Sequence, residues 1–341
     1  MSSKKQPARV LTGIKPTGVP HLGNYIGAIR PAIGESLRDD RETFYFLADY
    51  HALVSCRDPE KIQDWTHTIA ATWLALGLDV ERAVFYRQSD IPEIPALTWL
   101  LSCVTAKGLM NRAHAYKAAV QDNLQAGADE PDRGVNMGLY TYPILMAADI
   151  LMFNPHAVPV GKDQVQHIEM ARDIAGCFNH AFGKHFVLPE ALVDENTAVL
   201  RGLDGRKMSK SYGNTIPLFC SEKKLRQHVM KIVTNSLEPG EPKDPDSCTL
   251  FQIFLAFVED EAERAAKRQQ YEQGAAWGLL KQELFEILNA SLSAPRAEYE
   301  RLMADPGFME SVLRKGAERA REHATPFLEQ LHQAVGLRAL V

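Results

Sequence analysis

The chain has 341 residues, of which 45% are hydrophobic and 24% charged; this is the composition of a folded globular protein and excludes intrinsic disorder. Its net charge of −5 argues against broad affinity for nucleic acid, so any nucleic-acid partner must be bound at local basic patches. The apolar runs are too short to cross a bilayer, and the five widely spaced cysteines predict neither disulfides nor a metal site, which indicates a cytoplasmic protein with no membrane partner.

Short runs of β-forming residues alternate with helical patterns through the N-terminal part of the chain, which is typical of a parallel sheet with crossover helices. Between the second and third strands, Asp58 as N-cap and Pro59 as first residue predict an amphipathic helix that continues to Gly77. The predicted strands are residues 9–14, 43–48, 82–87 and 156–161.

The first predicted strand runs into the segment KPTGVPHLGN, which opens a helix near His21. In a doubly wound sheet, ligands gather at the carboxyl ends of the strands, and helix N-termini there attract phosphate groups. Gly23 allows a ligand to approach the backbone closely. An ordinary strand-to-helix turn is the alternative interpretation. The polar residues of the segment are Lys15, Thr17, His21 and Asn24.

One carboxylate, Asp149, stands in the otherwise apolar segment YPILMAADILMF, which is predicted to form a helix beginning near Pro143. Met146 lies three residues before Asp149 and shares its helix face. A buried carboxylate is costly unless it meets hydrogen-bond donors. Asp149 is therefore either part of a structural salt bridge or cap, or the acceptor at the floor of an apolar pocket with Met146 and Tyr142 in its wall.

The fourth predicted strand ends at Gly161, where Asp163 is expected to cap the following helix. Gln164 and His167 then lie one helical turn apart, again at the carboxyl end of a strand. Gly161 and Asp163 are candidates for contacts with a nucleoside sugar. A capped helix with a surface histidine is the alternative.

The segment GRKMSKSYGN places two lysines and two serines between Gly205 and Gly213, which predicts a mobile loop. Lysine and serine side chains are donors suited to phosphate oxygens, so the loop is a candidate clamp for a polyphosphate. A solvated surface turn is the alternative. The donors are Lys207, Ser209, Lys210 and Ser211.

The strand patterns stop at about residue 216 and helical patterns continue to the C-terminus. The predicted fold class is α/β, a Rossmann-like doubly wound parallel sheet with a C-terminal mainly helical domain. The predicted domains are residues 1–215, with a helical insertion at roughly 92–150, and residues 216–341.

Two pairs of motifs resemble those of a known family. The combination of PTGVPHLGN and KMSKS resembles the two signature motifs of class I aminoacyl-tRNA synthetases, and MAADIL with VPVGKDQVQHIE resembles the tryptophanyl branch of bacterial type. The resemblance covers essentially the whole chain. It implies a homodimeric tryptophan-tRNA ligase that uses L-tryptophan, ATP with Mg²⁺ and tRNA(Trp), and whose 216–341 domain meets the anticodon region.

The same resemblance implies roles for single residues. Asp149 falls on the carboxylate that accepts the indole N–H in the family. The expected catalytic residues are Lys207, Lys210, His21 and Lys15. The other expected tryptophan contacts are Met146, Tyr142, Gln164 and His51. The expected ATP contacts are Lys15, Pro16, Thr17, Gly18, His21, Gly23, Asn24, Gly161, Lys162, Asp163, Leu200, Lys207, Met208, Ser209, Lys210 and Ser211.

Two residues depart from the family pattern: Asn24 stands where the general class has histidine, and Lys15 stands where many bacterial relatives have glutamine. Two other functions remain open at this point. One is the tyrosyl branch, which has similar motifs, and the other is a non-catalytic tryptophan binder, which the intact KMSKS disfavours. A basic group near the C-terminus is a candidate tRNA contact and consists of Arg314, Lys315, Arg319 and Arg321.

Overall fold

The computed structural model describes residues 7–161, 164–193 and 199–337. The strands within these ranges are β1 Ala8–Ile14, β2 Arg41–Leu47, β3 Val84–Arg87, β4 Ala157–Val160 and β5 Glu190–Val193. The α-helices are α1 Leu22–Asn24, α2 Arg30–Ser36, α3 Asp49–Ala52, α4 Pro59–Ala75, α5 Glu93–Ser102, α6 Lys107–Met110, α7 His114–Gln125, α8 Met137–Met152, α9 Val165–Phe182, α10 Glu222–Lys231, α11 Thr249–Phe257, α12 Glu261–Glu272, α13 Trp277–Met303 and α14 Pro306–Ala334. A π-helical turn, Tyr25–Ile29, joins α1 to α2, and 3₁₀ turns cover Gln88–Asp90 and Lys210–Tyr212.

The strands are parallel and form the core of the N-terminal part. β2 pairs with β1 on one side and β3 on the other, and β4 pairs with β5. The described strands form two parallel sheets, β1-β2-β3 and β4-β5, and β4 lies beside β1. The resulting spatial order, β3-β2-β1-β4-β5, is that of a Rossmann-like fold. The predicted fold class and all four predicted strands are confirmed. β5 was not predicted.

Helices cover both faces of the sheet because β2 is apolar on both sides. Phe44 and Phe46 point into a core built with α5, α8 and α9, whereas Tyr45 and Leu47 point into a second core with α4. Because β2 and β3 are parallel, α3, which follows β2, and the turn after β3 lie together at the carboxyl ends of the strands.

Helix α14 packs back on the sheet although it lies in the predicted helical domain. Gly316 sits so close to β3 that a side chain there would overlap the carbonyl oxygen of Phe85. Arg319 Nη1 donates to the carbonyl oxygens of Val80 and Ala83 at 2.6 and 3.1 Å. Helices α10, α11 and α13 instead share a second core with Leu22 and Ile26 of the first motif and with the segment around the KMSKS loop. The division of the chain at residue 215 stays a prediction.

Two predicted helices have different outcomes. The helix after Asp58 is confirmed: Asp58 Oδ1 accepts from Lys61 N at 3.2 Å, and α4 ends shortly before Gly77, whose φ is +93°. The start of α8 near Pro143 was wrong, because Asn136 caps the helix and Pro143 lies inside it. None of the helices described is long and apolar enough to cross a membrane.

Candidate active site

The two glycine-punctuated segments meet at the carboxyl end of β1. Leu22 N donates to Ile216 O and Leu218 N to Pro20 O, both at 3.0 Å, so the chain after the KMSKS loop runs antiparallel to the start of α1. Lys210 Nζ donates to Thr17 O at 3.1 Å. The predicted phosphate segments, far apart in sequence, therefore form one site.

His21 caps the first helix. Its Nδ1 accepts from Asn24 N at 3.2 Å, and Asn24 Oδ1 accepts from His21 N at 3.1 Å, which is a reciprocal capping box. Burial, with a smaller contribution from the Lys210 charge, lowers the pKa of His21 to about 4. The imidazole is therefore neutral near pH 7, and its unprotonated Nδ1 is free to accept the Asn24 N–H.

We expect this histidine to make folding sensitive to acid. Its pKa in the fold is about 4, against an ordinary value of 6.5, so between these values the unfolded chain binds more protons and stability falls as pH falls. His21→Asn retains a cap acceptor that does not titrate. Thermal unfolding at about pH 7 and about pH 4.5 should show a smaller loss in the variant than in the wild type. Equal losses would contradict this assignment.

The KMSKS loop is held by the buried Asn214. Its Nδ2 donates to Asp204 Oδ1 at 2.7 Å and to Lys207 O at 3.0 Å, while its Oδ1 accepts from Ser209 N at 2.8 Å. The Asn214 bond is the largest cause that lowers the pKa of Asp204, to about 2. The predicted flexible positions, Gly205 and Gly213, have φ values of +81° and +63°.

The cations of the site have different surroundings. Lys210 lies against Thr17, in the segment that leads into α1. Lys15 Nζ donates to Ser55 Oγ at 3.2 Å. Partial desolvation lowers the pKa of both ammonium groups. Lys207 is exposed and lines a separate groove with Arg30. The loop as observed therefore brings only one of its two lysines to the first motif.

Some of the other expected nucleotide contacts lie where the first motif meets the KMSKS loop, and the rest lie in the helical core or at the end of β4. Pro16 is buried, Gly18 has a φ of +101° and lies below the Lys210 ammonium, and Gly23 packs on the His21 ring. Ser209 and Ser211 hydroxyls lie 2.8 Å apart. Leu200 and Met208 are buried in the helical core, and Gly161 is exposed at the end of β4. Lys162 and Asp163 lie outside the described residues.

Asp149 is buried, with 2% of its surface exposed, and meets two side chains. His51 Nε2 lies 2.9 Å from Oδ2, and Gln88 Nε2 lies 2.7 and 2.9 Å from the two oxygens. Burial raises the pKa of the Asp149 carboxyl, and the contacts with His51 and Gln88 oppose that rise. The carboxylate is thus the acceptor at the centre of a polar cluster enclosed by apolar helices.

The remaining predicted pocket residues lie on the helices around Asp149. Tyr142 Oη is 2.7 Å from His167 Nε2, and its ring stands edge-on to His51 at 6.2 Å. Met146 is half-buried on α8, one turn before Asp149, and Gln164 is the N-cap of α9.

Sequence analysis did not identify Gln88. It follows β3 directly, and the rule that functional side chains gather at the carboxyl ends of parallel strands points to it. Within the described ranges, no three His, Cys, Asp or Glu residues are arranged to hold a metal ion.

Comparisons with known proteins agree with this geometry. The sequence model of the family described as tRNA synthetases class I (W and Y) matches residues 3–293. A tryptophan-tRNA ligase of Pseudomonas aeruginosa is 63% identical over 335 residues, which are 97% of this chain and 74% of that protein. One from Neisseria meningitidis serogroup A is 58% identical, over 97% of this chain and 98% of that protein. The solved tryptophanyl-tRNA synthetase of Campylobacter jejuni, complexed with ADP and tryptophan, aligns with a TM-score of 0.88 and 42% identity over 96% of this chain and 100% of that chain.

Proposed function

The chain belongs to the class I tRNA synthetases for tryptophan and tyrosine, and we propose that it is a tryptophan-tRNA ligase. It activates L-tryptophan with ATP to tryptophanyl-adenylate and pyrophosphate, then transfers tryptophan to the 3′ end of tRNA(Trp). The observation that carries the amino-acid assignment is the buried Asp149 carboxylate, which has two donors and an apolar surround.

Tryptophan suits this pocket because an indole N–H is only a donor, whereas a phenol both donates and accepts. Asp149 accepts the indole N–H, and Met146, Tyr142, His51 and Gln164 line the pocket around it. An amino acid without a donor leaves the buried acceptor partly unpaired, which is a strong basis for rejection. Tyrosine is disfavoured for a different reason: its phenolic oxygen is also an acceptor, and an ionised Asp149 has no hydrogen to donate to it.

The first step needs no protein nucleophile. The tryptophan carboxylate attacks the α-phosphorus of ATP, and pyrophosphate leaves, so the protein acts by alignment and charge stabilisation. Lys210, Lys207 and Lys15 supply positive charge to the phosphates, while the neutral His21 orders the start of α1 beneath them. Mg²⁺ accompanies ATP and is held mainly by phosphate oxygens and water.

The remaining predicted ATP contacts fall into two groups. The loop residues Pro16, Thr17, Gly18, Gly23 and Asn24 surround the phosphates, together with Ser209 and Ser211. The adenosine meets Gly161, Lys162, Asp163, Leu200 and Met208. Closure of the KMSKS loop brings Lys207 out of its present groove towards the triphosphate.

We assign the anticodon region of the tRNA to the C-terminal helices. Helices α10 to α13 are built around a core that reaches to the first motif through Leu22 and Ile26, and they lie farther from the strands than α14, which packs directly on β3. Of the predicted basic group, Arg319 is bonded to backbone carbonyls and Arg321 pairs with Glu93 at 3.0 Å. Arg314 and Lys315 are exposed and remain candidates for contact with phosphates.

A homodimer is supported by Trp99, which lies on α5 with 70% of its surface exposed. Large aromatic side chains are enriched at the centres of interfaces. Trp99→Lys should raise the dimer dissociation constant by about 30-fold or more, the effect of losing one hot-spot residue. Light scattering over a dilution series measures this change. Val233→Lys, at a position 64% exposed in the helical region, is the control, and an unchanged Trp99→Lys dimer would contradict the assignment.

Charging of a tRNA(Trp) transcript with radiolabelled tryptophan tests the complete reaction. A ligase produces acid-precipitable tryptophan that depends on ATP, whereas a tryptophan binder produces none.

We assign the enzyme to the cytoplasm, since its five cysteines are all free thiols, as expected in a reducing compartment.

A further inference from the structure

Gln88 is a fully buried amide that no step of the proposed reaction uses. It begins the 3₁₀ turn after β3, and none of its surface is exposed. A buried amide is retained only where its polar atoms are bonded, because an unpaired one is costly. Its partners are therefore informative.

The backbone determines which end of the Gln88 amide faces Asp149. Oε1 accepts the Tyr50 N–H at 3.1 Å, and an N–H group offers nothing to the amide nitrogen. Nε2 is consequently the atom that faces the Asp149 carboxylate, at 2.7 and 2.9 Å from its two oxygens. The orientation of the amide follows from this bond.

A second carboxylate fixes the position of the turn that carries Gln88. Asp49 Oδ1 accepts from Ser89 N at 3.0 Å and from Tyr50 N at 3.1 Å, and Asp49 Oδ2 accepts from the Ser89 hydroxyl. The start of α3 and the turn after β3 are thereby joined. Gln88 is thus held by hydrogen bonds at both its turn and its amide.

The hydrogen bonds to Asp149 leave it with limited capacity. A carboxylate has about four acceptor sites, and Gln88 and His51 occupy sites on both oxygens. Oδ1 has more acceptor capacity left than Oδ2, because among the described residues it bonds Gln88 alone. An incoming donor is accepted there, whereas an incoming acceptor faces an ionised carboxylate that has no hydrogen to donate.

We propose that Gln88 is a positioning residue for amino-acid selection: it fixes the Asp149 carboxylate so that its open acceptor site meets a donor-only N–H of the substrate. The proposal rests on the proposed function and deepens it. Gln88 does not touch the reacting atoms, so its effect is on recognition of the side chain and not on adenylate chemistry.

The protonation of Asp149 provides an independent readout. The titratable groups that face it are His51 and Asp49 on α3 and Tyr86 on β3. Burial already raises the pKa of Asp149, and Gln88 opposes the rise, so removing the amide raises that pKa further. A protonated Asp149 is a weaker acceptor. When the pH is lowered, tryptophan affinity should therefore begin to fall at a higher pH in a Gln88 variant than in the wild type.

The test compares tryptophan with β-(3-benzothienyl)alanine, in which sulfur replaces the indole N–H, in ATP–pyrophosphate exchange. Gln88→Met removes the donor at similar volume, and Gln88→Asn keeps an amide but withdraws it from Asp149. Thr72→Val is the matched control, because it replaces another buried polar group, in α4, whose partner among the described residues is Thr68 O of its own helix.

We expect both Gln88 variants to raise the tryptophan KM about 10-fold or more and to reduce the preference for tryptophan over the analogue by a similar factor, with kcat and the ATP KM little changed. The decline in tryptophan affinity on acidification should begin at higher pH. Thr72→Val should change neither the preference nor the pH profile.

The proposal would be overturned if both Gln88 variants kept the wild-type preference and the wild-type pH profile. It would also be overturned if exchange with tryptophan and with the analogue fell equally and the Tm fell too, because Gln88 would then have a structural role alone. Absence of tryptophan-dependent exchange in the wild type would instead overturn the proposed function.

Discussion

Lys210→Ala is expected to lower the rate of adenylate formation by on the order of 10²-fold or more while tryptophan still binds. The Lys210 ammonium is already beside the first motif, donating to Thr17 O at 3.1 Å, and its partial desolvation strengthens its interaction with phosphate charge. Negative charge on the leaving pyrophosphate grows towards the transition state. A cation that meets this charge therefore acts on kcat more than on ground-state affinity.

The prediction for Lys207→Ala has the same direction but a different structural basis. Lys207 lines a separate groove with Arg30, so it contributes only after the loop has moved. Single-turnover adenylate formation and tryptophan binding, measured separately, distinguish the two effects. Lys223→Ala, an exposed lysine on α10, is the control. Normal pyrophosphate exchange in both single KMSKS variants would contradict the clamp.

Asp149→Ala is expected to raise the tryptophan KM by about 5- to 150-fold, which corresponds to a loss of about 1–3 kcal/mol. The variant loses the proposed acceptor of the indole N–H and leaves His51 and Gln88 without their carboxylate partner. Discrimination against phenylalanine should also decline from the factor of about 10⁴ that a hydrogen-bonding site can provide.

Steady-state exchange with tryptophan and phenylalanine measures both effects of Asp149→Ala. A thermal melt accompanies the kinetics, because unpaired donors in a buried cluster also lower stability. The ATP KM is the internal control, and it should stay near the wild-type value. An unchanged tryptophan response would mean that Asp149 is a structural carboxylate and that the amino-acid pocket lies elsewhere.

The strands were predictable where burial on both faces forces an apolar run. β2 and β3 are such runs, and their assignments hold. β5 has four residues, alternates between exposed and half-buried positions, and shows Leu192 at 52% exposure, so nothing in its sequence separates it from a loop. Pro143 was misleading because proline is common at helix starts, yet α8 accommodates it in its interior.

The candidate site was predictable at the level of motifs and less so at the level of partners. The structure brings the two motifs together, with Lys210 Nζ bonded to Thr17 O. The separation of Lys207 from that junction depends on a loop conformation that no sequence pattern encodes. The need of Asp149 for donors followed from its apolar helix. Gln88 could not be paired with it from sequence, because their contact depends on α8 sharing one core with β2 and β3.

The most direct measurement of the central claim is ATP–pyrophosphate exchange by the purified wild-type protein, with tryptophan, tyrosine and phenylalanine supplied in turn. We expect the kcat/KM for exchange with tryptophan to be about 10⁴-fold or more higher than the kcat/KM with tyrosine or with phenylalanine. Exchange driven better by tyrosine, or no exchange that depends on an amino acid, would contradict it.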